Sequence, residues 1–528
     1  MAKVLVADKL AHEGIDILKD SGFEVDCKIG LDKEELMKVI KDYEAIIVRS
    51  QTKLTSDVIE RASSLKVIGR AGVGLDNVDV LTATKKGIIV MNAPGGNTIS
   101  TCEHTFALIL SLARKVPFGH FSLKKGDWNR SKFKGTEIYG KILGIIGLGR
   151  IGKEVAKRAS AFGMEVLTCD PFITQEVADS IGVKIVALEE LLRKSDIVTI
   201  HTPLTGETKG LISYKELSLM KPTAFIINCA RGGIIDEEAL YKFLKDKKIS
   251  GAALDVFEKE PPVDSKLLEL DNIVVTPHLG ASTQEAQVNV AVEIAHCIKD
   301  ALLGKAIRNA VNYVQMEPEV YKVVFPYIVL AEKMGKFLSQ LVSGATQEIK
   351  IYYIGEIASF KVDPLTMAFT KGFLSTILEE NVNYINSLGI AKERKIKIEQ
   401  VKIDREQEYV NSIRAEVKTS KEERLLEGTL FANREARFVK MDDVYIEIAP
   451  SEYMVVVKNQ DRPGVIGNLG TVLGNHNVNI ANMSLGRKKK ENMAITVLNV
   501  DTPLKEDVIN DIKANPNIIS LKFIVLKD

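Results

Sequence analysis

The sequence predicts an α/β protein made of two doubly wound units, one inserted into the other, with two smaller α+β units behind them. Three observations carry this. Short apolar strands alternate with helical patterns twice over, across residues 1–98 and again across residues 141–276. The glycine pattern G-x-G-x-x-G, at 147–152, opens the second run instead of the chain. The block from about residue 452 reads strand, helix, strand, strand, helix, strand, which is ferredoxin-like grammar.

In the first run the strands are "KVLVA", "EAIIV", "KVIG" and "IIVM", too few to close a core alone. The loop "NAPGGN" (92–97) ends it, and the helical pattern "STCEHTFALILSLARKV" follows. The second run holds six strands, "KILGIIG", "MEVLTC", "DIVTI", "TAFIIN", "ISGAAL" and "NIVVT", a complete doubly wound sheet. A further helical pattern at 283–304 is long enough to return and complete the first unit. The expected domains are therefore 1–98 with 284–315, then 99–283 inserted, then 316–451 and 452–528, with helices near 99–116 and 283–304 as a hinge. Residues 316–450 mix amphipathic helices with polar strands and carry no motif with assignable chemistry.

Bulk properties narrow the function. A chain of 528 residues is too long for one core. Seventy-one Lys and Arg against 70 Asp and Glu leave no field to attract nucleic acid or a membrane. "MAKVLVADKL" lacks the apolar core of a secretory leader, and "VVFPYIVLA" is too short and proline-broken to span a bilayer. The five cysteines (27, 102, 169, 229, 297) are odd in number and scattered, which predicts reduced thiols and a cytoplasmic protein. The seven histidines form no ligand cluster, so no metal is expected.

The glycine loop lies between a strand and the helix "RIGKEVAKRASAFG", the context a dinucleotide needs. Gly147 permits the tight turn, Gly149 lets the backbone approach a pyrophosphate, and Gly152 lets helix and strand pack. The N–H groups of Arg150 and Ile151 then face the phosphates. Asp170, ending the next strand, accepts hydrogen bonds from ribose hydroxyls and repels a 2′-phosphate, which selects NAD over NADP. An incidental strand-turn-helix is the bland alternative.

Three later strand ends carry reactive side chains: "NCARGGIIDEEAL", "AALDVFEKEPP" and "TPHLGAST". Ligands bind at that edge of open α/β sheets, so Arg231, Glu260 and His278 can converge there. Oxidation of a 2-hydroxy acid needs a base for the hydroxyl proton, and His278 suits it. Glu260 would orient the ring, and Arg231 would grip a substrate carboxylate with two parallel hydrogen bonds. Singly, each also reads as a loop cap, a solvated turn residue or a nest filler.

These motifs, with "VRSQTKLT", "GRAGVGLDNVD" and "NAPGGNTIS", resemble the D-isomer-specific 2-hydroxyacid dehydrogenase family over roughly residues 1–312. The resemblance implies a Rossmann-type NAD domain inserted into a flavodoxin-like substrate domain, an α+β intervening domain and a ferredoxin-like ACT domain. It also implies cofactor contacts at Arg150, Ile151, Asp170, Thr202, Cys229, Ala230, Arg231, Asp255, His278, Gly280 and Ala281. Arg49, Ser50 and Asn97 resemble substrate-binding positions, and "WNRSKF" a loop that brings Arg130 or Lys132 to a neighbouring subunit's cleft. Within the family the pattern is most similar to the long-form branch. That branch oxidises 3-phospho-D-glycerate to 3-phosphohydroxypyruvate at the start of serine synthesis. In its ACT domain Asn459, Asp461 and Asn479 would hold an amino-acid effector, L-serine, between paired copies of a homodimer or homotetramer. Two alternatives stay open: a dehydrogenase of another 2-hydroxy acid, such as glycerate or 2-hydroxyglutarate, and a non-catalytic NAD-sensing protein.

Overall fold

The computed structural model describes residues 1–527 apart from 306, 315, 317, 379–381, 405–407, 433, 489 and 490, so the expected boundary at 315 lies outside the described residues. The first sheet is parallel throughout: β1 (Lys3–Val6), β2 (Glu24–Cys27), β3 (Ala45–Val48), β4 (Val67–Arg70) and β5 (Ile89–Asn92). Its order, β2-β1-β3-β4-β5, is the flavodoxin-like one, with the reversal between β1 and β3. The sequence pattern misses β2 because "EVDC" is a half-exposed edge strand with no apolar run. The helix Gln284–Leu302 covers this sheet, where Val290, Ala291, Ile294 and Ile298 share a core with β1, β3 and β4. It crosses the helix His12–Asp20 at backbone contact: a Cβ on Gly14 would stand 2.7 Å from the Ala291 carbonyl oxygen. The first 98 residues thus close their core with a segment nearly 190 residues later.

The second sheet runs β6 (Ile142–Ile146), β7 (Glu165–Cys169), β8 (Lys184–Ile185), β9 (Ile197–Ile200), β10 (Phe225–Asn228), β11 (Gly251–Leu254) and β12 (Ile273–Val275). Its order β12-β11-β10-β9-β6-β7-β8 is the Rossmann arrangement, reversing between β6 and β9. It has one strand more than the sequence predicts, since two residues of β8 leave no periodicity to detect. The helix Thr98–Arg114 rises directly from the glycine loop at 92–97 and packs Cys102, Phe106, Ile109 and Ala113 into this second core.

The third sheet has the order β14-β13-β15-β16-β17-β18, from β13 (Thr346–Gly355), β14 (Lys397–Ile403), β15 (Asn411–Thr419), β16 (Glu423–Phe431), β17 (Glu435–Met441) and β18 (Val444–Ile448). Helices Pro318–Leu341 and Asp363–Ser375 cover it around Phe337, Phe369, Phe373 and Phe438. "VVFPYIVLA" does not break at its proline: the helix continues through Pro326, where burial of Val324, Ile328 and Leu330 on either side offsets the missing backbone bond.

The last sheet is antiparallel, with β19 (Tyr453–Gln460), β20 (Ile480–Lys488), β21 (Met493–Val500) and β22 (Ile518–Val525) in the order β20-β21-β19-β22. One face carries the helices Val465–Asn475 and Glu506–Lys513. The other buries Met454, Val456, Ile495, Val497 and Ile524 in the core of the third sheet, so these two units share one hydrophobic interior. Among the described residues no helix is long and apolar enough to cross a membrane.

Candidate active site

The glycine loop follows β6 at the point where the strand order reverses. Gly147 has φ 92°, and a Cβ there would stand 2.8 Å from the His201 carbonyl oxygen and 2.7 Å from Thr202 Cγ2. Gly152 packs against the loop itself, its absent Cβ only 2.2 Å from the Gly147 carbonyl oxygen. Gly149 differs, because nothing lies within 4 Å of where its Cβ would be. It precedes the helix Arg150–Ala161, whose first loop-to-helix bond runs from Lys153 N–H to Gly149 O (3.0 Å). The N–H groups of Arg150, Ile151 and Gly152 therefore have no partner within the helix and address that open side. Asp170 accepts from the N–H groups of Leu148 (2.7 Å) and Phe172 (2.8 Å), and each of its oxygens keeps a second lone pair. Beside the loop, Thr202 Oγ1 is buried without a hydrogen-bond partner. An open approach, free amides, a carboxylate and an unpaired hydroxyl are the features a dinucleotide fits. Cys229 is not available through its side chain. Burial pushes its thiol up to about 12, and any nucleotide contact there is left to the main chain.

Strands β10, β11 and β12 then deliver three side chains. Asn228 is buried and braces the turn after β10, donating to Arg231 O (2.8 Å) and accepting from Ala230 N–H (3.0 Å). The Arg231 guanidinium reaches across to the first sheet's loops, its Nε 3.3 Å from Asp76 Oδ2. Glu260 Oε1 accepts from Phe257 N–H (3.2 Å), and its Oε2 lies 2.9 Å from His278 Nδ1. A carboxylate only accepts, so Nδ1 carries the proton and Nε2 is the free base. The Glu260 hydrogen bond raises the His278 pKa against opposing burial and the nearby Arg231 charge. Burial would push Glu260 up, but the His278 partnership outweighs it and holds the carboxyl below its ordinary value. The structure thus brings the histidine, the acid and the arginine to one cleft.

Asp255 sits beneath them, 1 % exposed, its carboxylate accepting from Thr276 Oγ1, Leu279 N–H and Gly280 N–H at 2.6 to 2.8 Å. Its side chain is committed to the turn that holds His278, Gly280 and half-buried Ala281.

On the first sheet, the reversal between β1 and β3 places Asp8 beside the Arg49 backbone, where it accepts the Arg49 N–H and, from Thr52 Oγ1, a 2.7 Å bond. Arg49 is half-buried and Ser50 exposed at this crevice. Asn97 Oδ1 is buried without a partner. Sequence reasoning missed Arg70, at the end of β4. Burial and then the nearby Arg231 charge lower its pKa to about 10, with Arg49 also close, and its Nε is buried and unpaired. Its position at a parallel strand's C-terminal end was the available signal.

Residues 106–280 match the D-isomer specific 2-hydroxyacid dehydrogenase NAD binding domain, 323–442 the D-3-phosphoglycerate dehydrogenase intervening domain, and 453–517 the ACT domain. The D-3-phosphoglycerate dehydrogenase of Archaeoglobus fulgidus is 45% identical over 99% of this chain and 100% of its own. That of Bacillus subtilis is 43% identical over 100% of both. The chain belongs to the D-3-phosphoglycerate dehydrogenase family. Over 58% of its length it also resembles the structure of Aquifex aeolicus D-lactate dehydrogenase complexed with NAD and lactic acid, with TM-score 0.53, 31% identity and 98% of that chain covered.

The ACT unit places the three expected effector residues apart. Asn459, next to last in β19, is 2 % exposed, and its amide donates to Gln460 O (2.7 Å). Asp461 follows the strand and pairs with Arg487 Nε (2.7 Å), while Asn479 donates to Asp501 (2.7 Å). These two are not brought together within one chain. They mark opposite ends of β20, roughly 25 Å apart at ~3.3 Å per residue. Arg130 and Lys132 are exposed on the segment Arg130–Phe133, and Lys132 borders a groove formed with Phe118, Phe225 and Asn272, at the N-terminal ends of β10–β12 and away from the cleft.

Proposed function

We propose that the chain oxidises 3-phospho-D-glycerate to 3-phosphohydroxypyruvate with NAD. The observation that carries this is the His278–Glu260 pair at 2.9 Å, facing the Arg231 guanidinium where the two parallel sheets meet. NAD bound along the glycine loop supplies the hydride acceptor. Arg231 holds the substrate carboxylate and turns its C2 hydroxyl toward His278 Nε2. His278 takes the hydroxyl proton as the hydride leaves C2, and Glu260 stabilises the imidazolium so formed. In reverse the same imidazolium protonates the carbonyl oxygen. Arg49, Ser50, Asn97 and Arg70 receive the phosphate at the C-terminal edge of the first sheet; the buried unpaired Nε of Arg70 supports this.

The reading extends to organisation. The domain boundaries are 1–98 with 284–315, 99–283, 316–451 and 452–528, the first two joined through the helices Thr98–Arg114 and Gln284–Leu302. The protein works in the cytoplasm as a homodimer or homotetramer, with Arg130 or Lys132 turned to a neighbouring subunit. L-Serine binds between paired ACT units, contacting Asp461 of one copy and Asn479 of the other. Their separation within a chain supports a site made by two copies, as do exposed Met483 and Leu485 on β20.

Initial rates with 3-phosphoglycerate and NAD, and with the keto acid and NADH, test the proposal. Turnover of glycerate or 2-hydroxyglutarate in preference would move the substrate; no turnover of any hydroxy acid would leave an NAD sensor. His278→Ala should reduce turnover by about 10²- to 10⁴-fold while NADH still binds.

A further inference from the structure

His278 stands in a left-handed backbone conformation, φ 54°, which a side chain with a Cβ rarely adopts. Something must hold it there. Asp255 takes the main-chain N–H groups of three consecutive residues: its carbonyl oxygen accepts from His278 (2.9 Å), and its carboxylate from Leu279 (2.7 Å) and Gly280 (2.8 Å). The clamp is in turn tied to the helix Thr98–Arg114 by two residues one turn apart on the same face. Thr101 Oγ1 donates to Gly280 O (3.1 Å). His104 Nε2 lies 3.2 Å from Asp255 Oδ1 and 3.0 Å from Thr276 Oγ1. The Thr276 hydroxyl hydrogen is already spent on Asp255 Oδ1 (2.6 Å), and a carboxylate cannot donate. Both oxygens therefore accept from one Nε2–H, which fixes the tautomer of His104.

We propose that His104 is a positioning residue for hydride transfer: through Asp255 and Thr276 it anchors the His278–Gly280 turn to the helix Thr98–Arg114 and so keeps the His278 imidazole aligned with Glu260. It touches neither substrate nor cofactor. The same helix begins at Asn97, so one rigid element sets the substrate loop and the base in mutual register. The role rests on His278 being the base. It separates from the cofactor's phosphate contacts, because the pyrophosphate loop at 147–152 hangs on a different strand and makes none of these bonds.

The test compares the parent chain with His104→Leu, His104→Asn and His104→Gln. Glutamine can present an N–H near the place of Nε2; asparagine is too short, and leucine has no donor. The expected result is a kcat lowered about tenfold or more in the leucine and asparagine variants. KM for 3-phosphoglycerate and the NADH dissociation constant should stay within about twofold, with most of kcat restored by glutamine. Retained kcat in the leucine variant would overturn the proposal, as would a glutamine variant as slow as the leucine one, or NADH affinity falling in step with kcat. Should the leucine variant not fold, asparagine against glutamine decides by the same signs. The His278 ring resonance, assigned by its loss in His278→Ala, should shift in the asparagine variant and return in the glutamine one. That signal reads placement without turnover, so a parent chain inactive on 3-phosphoglycerate would sink the substrate reading while the resonance still decides the role of His104.

Discussion

The three loop glycines look alike in sequence but should fail differently when given a methyl group. At Gly149 the backbone (φ −69°, ψ −158°) suits any residue, and the added Cβ meets nothing within 4 Å. Alanine is a poorer helix cap than glycine by about 0.5 kcal/mol or somewhat more. It also restricts the unfolded chain, a gain of about 0.4–1 kcal/mol. These nearly cancel, so Gly149→Ala should leave stability within about 0.5 kcal/mol of the parent. The methyl group nevertheless occupies the side addressed by the first-turn amides, where the pyrophosphate must come. Losing one charge-assisted hydrogen bond is worth about 1.5–3 kcal/mol, or about 10- to 150-fold in NADH affinity. At Gly152 the Cβ would stand 2.2 Å from the Gly147 carbonyl oxygen, more than an ångström inside ordinary contact. The helix Arg150–Ala161 must move off β6, an overpacking cost of about 1–3 kcal/mol that lowers the melting temperature by several degrees. NADH fluorescence titration and thermal unfolding on both variants separate the effects. A Gly149→Ala protein that binds NADH within twofold of the parent, or melts as early as Gly152→Ala, refutes the assignment of the open side to the phosphates.

Four further outcomes follow from the same geometry. Glu260→Gln removes the charge that raises the His278 pKa. Oxidation needs the neutral ring, so the acidic limb of its kcat/KM profile should move to lower pH while kcat falls about tenfold or more; an unmoved limb would uncouple the pair. Asp170→Ser should erode the preference for NAD over NADP, and steady-state selectivity that does not change would count against the ribose contact. Arg70→Met should raise KM for 3-phosphoglycerate about tenfold or more with NADH affinity intact, because the buried guanidinium serves the substrate's anionic end. Serine titrated against initial rate should inhibit, and Asp461→Ala should flatten the curve; a parent chain indifferent to serine makes the ACT pair a passive contact.

In the two parallel sheets, periodicity revealed the strands whose residues are mostly apolar on both faces. β3 is a continuous apolar run, and β1, β4 and β9 carry one polar residue each, because helices cover both sides of a parallel sheet. β2 and β8 escaped for the converse reason: an edge strand with one wet side, and one of two residues, bury too little to impose a pattern. The discontinuity of the first unit was legible only from a shortage of strands. Its physical proof is the Gly14–Ala291 crossing, which no local pattern encodes.

The site divides the same way. Side chains at a strand end, such as Arg231 and His278, become candidates once ligands are expected at the C-terminal edge of a parallel sheet. Applied to β4, the same rule reaches Arg70, yet "VIGR" followed by glycines reads as a strand simply ending in a surface cation. His104 is hidden more deeply. Inside the apolar pattern "TCEHTFALIL" it passes for a packed core histidine, and only the distances to Asp255 and Thr276, more than 150 residues away in the chain, give it a role. Asn459 shows how sharply burial changes near a strand end. The resemblance named it with Asp461, yet Asn459 still pairs in the hydrogen-bonded ladder while Asp461 stands two residues on in the loop, and the buried amide bonds its own backbone. A motif can name the residue types a reaction needs. Which of them can reach the ligand depends on where each strand stops.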